Sequence, residues 1–196
     1  MSNVVVCTNV TLDGVMQAPA RPDEDPRDGF THGGWAAPYA AMTHAGQAFA
    51  RAGALLLGRR TYLDFHRAWT SRPDSPFTPW LNGIPKYVAS RTLSEPLPWI
   101  NSTLIEGDVP AAVSRLKGEM DKDILILGSG ELVRSLLAGR LVDEFVLLVH
   151  PLVLGSGRRL FDGGGAATDL ELLASSATPS GVIMATYHAR SGMRAS

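Results

Sequence analysis

The chain has 196 residues, 45% of them hydrophobic and 19% charged, with 18 Lys and Arg against 19 Asp and Glu for a net charge of −1. That length and apolar content suit one domain, residues 1–196, with a sizeable core, and they exclude the disordered class and a polyelectrolyte tail. The near-zero charge also argues against nucleic acid as partner, because phosphate binding needs an excess or clustering of basic residues.

The single cysteine, Cys7, cannot form an internal disulfide, and neither CxxC nor a His/Cys cluster at metal-ligand spacing occurs, so no metal is expected. The start, Met1 to Val6, has no basic stretch followed by a long apolar run, and no 18-residue apolar run follows. The expectation is a cytoplasmic protein with no membrane partner. Of the basic residues 15 are Arg and 3 are Lys, a bias that suits planar recognition of phosphate or carboxylate and equally reflects coding composition.

In chain order, Val4 to Val10 is expected as a strand closed by the Asp13-Gly14 turn. Pro19 to Pro38 is a long loop, functional or mobile, containing Asp23-Glu24-Asp25-Pro26. Ala40 to Ala52 is Ala-rich and predicts a helix with Gly53 as its C-terminal cap. Ala54 to Leu57 follows as a buried strand, and Arg59 to Trp69 as a helix with Tyr62, Phe65 and Trp69 at spacings of three and four. Between Ser71 and Pro85, three further prolines and Gly83 predict a loop without regular structure. Lys86 to Ser90 and Thr103 to Glu106 are strands, and Pro110 to Met120 is an amphipathic helix with proline in its first turn. Ile124 to Leu127 is a fully apolar strand, then Gly128-Ser129-Gly130 leads into a helix from Glu131 to Ala138, capped near Gly139. Glu144 to His150, Leu170 to Ser176 and Val182 to Ala189 complete the strands. Continuous apolar strands imply burial on both faces, which parallel βαβ units provide, while the last two strands read as an antiparallel pair. The fold class is α/β, a three-layer α/β/α sandwich around a mixed eight-stranded sheet.

Three strand ends carry donors suited to an anion. Gly128-Ser129-Gly130 opens a helix, where free N–H groups and the helix dipole favour negative charge; a tight turn with close helix packing is the other reading. Val133 stands where a dinucleotide fingerprint would have its third glycine. Gly58 leads into a helix starting Arg59-Arg60-Thr61, and two arginines there oppose the dipole unless an anion sits between them. Ser90-Arg91-Thr92 adds hydroxyls and another guanidinium. Open α/β sheets bind ligands beyond the carboxyl ends of their strands.

Taken in order, Thr11-Leu12-Asp13-Gly14, Leu57-Gly58-Arg59-Arg60-Thr61-Tyr62, Lys86-Tyr87-Val88-Ala89-Ser90, Ile126-Leu127-Gly128-Ser129-Gly130-Glu131-Leu132 and Pro151-Leu152-Val153-Leu154-Gly155-Ser156-Gly157 resemble the dihydrofolate reductase superfamily. Within it, the chain is most similar to the C-terminal reductase domain of the bacterial riboflavin-biosynthesis deaminase-reductase, from about Val4 to Ala189. The resemblance implies NADP(H) as cofactor and hydride transfer to a small heterocycle, pterin-like or a ribosylaminopyrimidine as in 5-amino-6-(5-phosphoribosylamino)uracil reduction. It also implies a homodimer formed through the C-terminal strands. Gly58, Arg59, Arg60 and Thr61 would meet the 2′-phosphate and pyrophosphate; Ser90, Arg91 and Thr92 the adenosine end; Gly128, Ser129, Gly130, Glu131 and Leu132 the pyrophosphate; and Gly14 and Val15 the nicotinamide. The helix at Ala40-Ala41-Met42-Thr43-His44 lacks the carboxylate that holds the pterin in dihydrofolate reductases. Gly128 stands where riboflavin reductases carry a glutamate. Candidate proton donors are Asp13, otherwise a turn residue, and the acids between Asp23 and Asp28; Trp35 is either an aromatic platform for substrate or an anchor of its loop. A non-catalytic NADP-binding or sensory module is the alternative.

Overall fold

The computed structural model describes residues 2–162 and 167–190; Met1 and residues 191–196, the ends of the expected domain, lie outside them. Eight strands form one sheet: β1 (Val4–Thr11), β2 (Ala52–Gly58), β3 (Lys86–Ala89), β4 (Ser102–Ile105), β5 (Asp123–Leu127), β6 (Glu144–His150), β7 (Leu170–Ala177) and β8 (Ile183–Ala189). Their spatial order is β4-β3-β2-β5-β1-β6-β8-β7. The first six run parallel, while β8 pairs antiparallel with β6 and β7 with β8.

Alternation along the central strands divides the core in two. Val4, Val6, Leu56, Ile124, Ile126 and Phe145 face the layer of α4 (Val109–Glu119) and α5 (Gly130–Ala138). Val5, Cys7, Leu55, Leu57, Leu125 and Leu127 face α1 (Gly46–Arg51), α2 (Arg59–Thr70) and α3 (Thr78–Gly83). A parallel strand covered on both sides must be apolar at every position, which is why these strands read as unbroken hydrophobic runs. Tyr62 is fully buried in the second layer and its hydroxyl accepts the Trp99 amide at 2.9 Å. Helix α4 starts as its sequence requires, with Asp108 accepting the Ala111 N–H at 3.1 Å and Pro110 in the first turn.

Two expected elements differ. The segment between Ser71 and Pro85 holds a regular helix, α3, because Pro79 falls in its first turn, where a missing N–H removes no helical bond. The Ala-rich segment is divided into a 3-10 turn, Ala41–Ala45, and the short α1, so the expected single helix from Ala40 to Ala52 does not form. Gly53 is not its cap but part of β2, at a register shift between Ala52 and Ala54 where the strand passes close to Lys122. A Cβ at Gly53 would lie 2.6 Å from the Cβ of Lys122. Gly53→Ala is therefore expected to destabilise the fold by about 1–3 kcal/mol through overpacking, measured as a lowered urea midpoint at unchanged slope.

Candidate active site

The carboxyl ends of β1, β2, β3 and β5 open into a cleft of about 1640 Å³. One end of it is built around the β5–α5 turn. Gly128 (φ +59°) and Ser129 (φ +56°) occupy consecutive left-handed positions, a conformation that serine adopts only where its surroundings hold it. The Ser129 hydroxyl supplies that hold, accepting the Gly58 N–H at 3.0 Å and lying 3.1 Å from the Thr61 hydroxyl. The starts of α2 and α5 are thereby fastened side by side. Neither helix start carries a side-chain cap, and α2 has no acid in its first turn. Arg59 hydrogen-bonds the Thr92 hydroxyl at 3.0 Å, and among the described residues Arg59, Arg60 and Arg91 form no salt bridge, although the charge of Arg60 is felt at Asp25. Unspent guanidinium groups and free helix N–H groups at one end of a cleft form a receptor for a phosphorylated ligand.

A strap formed by residues 17–28 borders the cleft and is tied to both banks. Arg21 and Asp23 pair with Asp64 and Arg67 of α2, the latter contact at 3.3 Å. Asp28 pairs with Arg158 at 2.9 Å, and Arg158 also reaches Glu131 at 3.3 Å. Glu24 lines the cleft; its Oε2 accepts the Ala20 and Arg21 N–H groups at 2.7 and 3.3 Å, and no cation pairs with it among the described residues. Burial pushes its carboxyl up, with the charge of Asp64 adding to the effect. The cleft floor includes Cys7, Thr8 and Asn9 of β1; burial raises the Cys7 thiol to about 12, so it stays protonated and unreactive.

Gly58, Arg59, Arg60, Thr61, Ser90, Arg91, Thr92 and Gly128 to Leu132 all line this cleft. Asp13, Gly14, Val15 and Trp35 do not. The Asp13 carboxylate accepts the Thr11 hydroxyl at 2.6 Å and the Gly155 and Leu154 N–H groups at 2.9 and 3.2 Å; these bonds, Thr11 foremost, hold it at about 2. It is thus ionised at neutral pH, with no proton to give, and it closes the turn. Val15 is fully buried and bridges Arg159, while the Trp35 indole donates to the Gln17 carbonyl at 2.8 Å and packs edge-on against His150, anchoring the strap. The sequence reading missed a wall of Phe49, Phe65, Trp69 and Phe77, all half-buried in the cleft. The spacing of Phe65 and Trp69 with Tyr62 signals one apolar helix face, of which only Tyr62 is fully covered by the core.

The sequence model of the RibD C-terminal domain matches residues 2–184. The uncharacterized protein YyaP of Bacillus subtilis is 32% identical over 142 residues, 68% of this chain and 72% of that protein. A Shewanella sp. PV-4 protein ascribed to riboflavin biosynthesis superposes with a TM-score of 0.68 at 21% identity, over 97% of this chain and 99% of the other. The diaminohydroxyphosphoribosylaminopyrimidine deaminase/5-amino-6-(5-phosphoribosylamino)uracil reductase of Thermotoga maritima gives 0.64 at 14% identity, covering 96% of this chain and 57% of that one.

His150, at the end of β6, is fully buried, with Nε2 2.9 Å from the Asn9 amide oxygen and Nδ1 without a partner. Burial lowers its pKa from 6.5 to about 4, so the ring is neutral in the fold but protonates below about 6.5 in the unfolded chain. Its contribution is complete above 6.5 and is lost as pH falls toward 4. Urea unfolding between pH 7 and 4 should show a decline of up to about 3 kcal/mol attributable to this residue, and His150→Gln should flatten that part of the profile.

Proposed function

The chain belongs to the RibD C-terminal domain family, and from that premise we propose that it is an NADPH-dependent reductase of a small heterocyclic compound. Family membership supports the reductase class. The observation that carries the choice of cofactor is the set of unpaired arginines, Arg59, Arg60 and Arg91, beside the Gly128-Ser129 turn at one end of the cleft. The donor chemistry fits the group: guanidinium pairs suit a ribose 2′-phosphate, and the helix starts of α2 and α5 suit a pyrophosphate. When bound, a reduced nicotinamide supplies hydride. Reduction also consumes a proton, and Glu24 is the group we assign to hold it, being a cleft carboxyl whose proton affinity burial raises despite the nearby charge of Arg21. Ser129 and Thr61 position the helix starts, and the strap between Gln17 and Asp28 lines one side of the site.

The alternative, NADP binding without turnover, is favoured by the engagement of Asp13 in its own turn. NADPH oxidation against a panel of pterins and aminopyrimidines separates the two. On the outer strands, Leu172, Leu173 and Ile183 are about half exposed, which supports a homodimer through that face.

NADPH should raise the melting temperature more than NADH does. In Arg59→Ala/Arg60→Ala that preference should fall by at least about tenfold in relative Kd; an unchanged preference refutes the phosphate assignment. Glu24→Gln should lower turnover by about 10²-fold or more and abolish the upper pH limb of kcat, with NADPH affinity retained.

A further inference from the structure

The cleft is larger than the roughly 300–1,000 Å³ that one small ligand fills, leaving room beside the phosphate receptor for a second molecule. Helix α2 connects the two regions: Arg59 to Thr61 lie in the receptor, and Trp69 stands about 15 Å further along the axis. There the wall changes character. Phe49 and Phe77 meet edge-on with ring centroids 5.3 Å apart, Trp69 meets Phe77 at 5.3 Å, and Phe77 stacks on Trp80 at 5.0 Å. Phe49, Trp69 and Phe77 all line the cleft and, though packed against the core, keep part of their ring surface uncovered, which a flat ligand would cover.

Charge narrows the class. The Arg72 guanidinium lies 5.9 Å over the Trp69 ring and, among the described residues, has no carboxylate partner. Arg67 next to this wall is spent on Asp23 and Asp64, and Asp64 is further occupied by Arg21. Among the described residues the lobe therefore offers aromatic surface and one available cation, Arg72, whereas a phosphoribosyl group would call for several phosphate donors.

We propose that the acceptor is a flat, mainly apolar fused-ring compound with one anionic group, its rings against Phe49, Trp69 and Phe77 and its anion on Arg72. A phosphoribosylated pyrimidine is excluded by this assignment. The inference rests on the cleft being a reductase site, but its ligand class is testable without turnover.

Calorimetry with naphthalene-2-sulfonate, on the full chain without cofactor, reads the lobe directly. Trp69→Leu and Phe77→Leu should each weaken binding about tenfold. The exposed change Arg72→Gln should weaken the sulfonate about fivefold and leave uncharged 2-naphthol unaffected. A tenfold excess of uridine 5′-monophosphate should not displace the sulfonate. Displacement by the nucleotide, absence of sulfonate binding, or binding indifferent to Arg72→Gln overturns the assignment. A chain that NADPH stabilises but that does not take the sulfonate loses this inference alone. One that binds the sulfonate in the lobe without stabilisation by NADPH loses the reductase reading and keeps the ligand class.

Discussion

The hydroxyl of Ser129 joins the ends of two strands that lie next to each other in the sheet but far apart in the chain. By taking the Gly58 amide and touching the Thr61 hydroxyl, it fixes where α2 and α5 begin relative to each other. The left-handed backbone at Gly128 and Ser129 is a local cost, which persists because the surrounding sheet determines it and this hydroxyl secures it. The proposed binding of an anion depends on that alignment, since two helix starts pointing apart would bind no common ligand. The parallel order of β2, β5 and β1 supplies the other half of the constraint by bringing all their carboxyl ends to one edge.

Much of the fold could be read from apolar runs, because a parallel strand covered on both faces has no polar alternation to obscure it. The strand ends at Gly58, Ser90 and Gly128 were legible for the same reason: each run stops at glycine or hydroxyl residues, and the arginines beside them have no local explanation. What resisted reading were features decided by tertiary contact. Gly53 looks like a helix terminus until its approach to Lys122 places it inside β2. Pro79 looks like a helix breaker until its position in the first turn of α3 makes it a starter. Asp13 and Trp35 carry suitable chemistry, yet partners distant in sequence, Gly155 for one and His150 for the other, commit them to the turn and the strap.

The strap joins the two banks mostly through side chains with substantial exposure, such as the pairs of Arg67 with Asp23 and of Arg158 with Asp28. Pairs of this kind contribute roughly 0–1 kcal/mol each in water and weaken further with salt. The buried contacts are the lasting ones: the Trp35 indole on the Gln17 carbonyl, and the Gln17 amide on the carbonyls of Asp25 and Arg27 at 3.0 and 3.1 Å. The base of the strap is therefore held by buried bonds, while its rim is held by exposed pairs that a ligand can exchange at little cost and by the largely buried pair of Arg21 with Asp64.

The same strand order that assembles the cleft also sets a sequence of events for making it. β1 pairs with no strand near it in the chain: Val4 registers with Ile124 and Val5 with Glu144. The middle of the sheet thus closes only after most of the chain has left the ribosome, and the entropy of that long closure is met before any central pairing is gained. During synthesis β2, β3 and β4 can pair early, but the first strand waits as an uncovered valine run, the segment most in need of protection from other chains until β5 and β6 arrive.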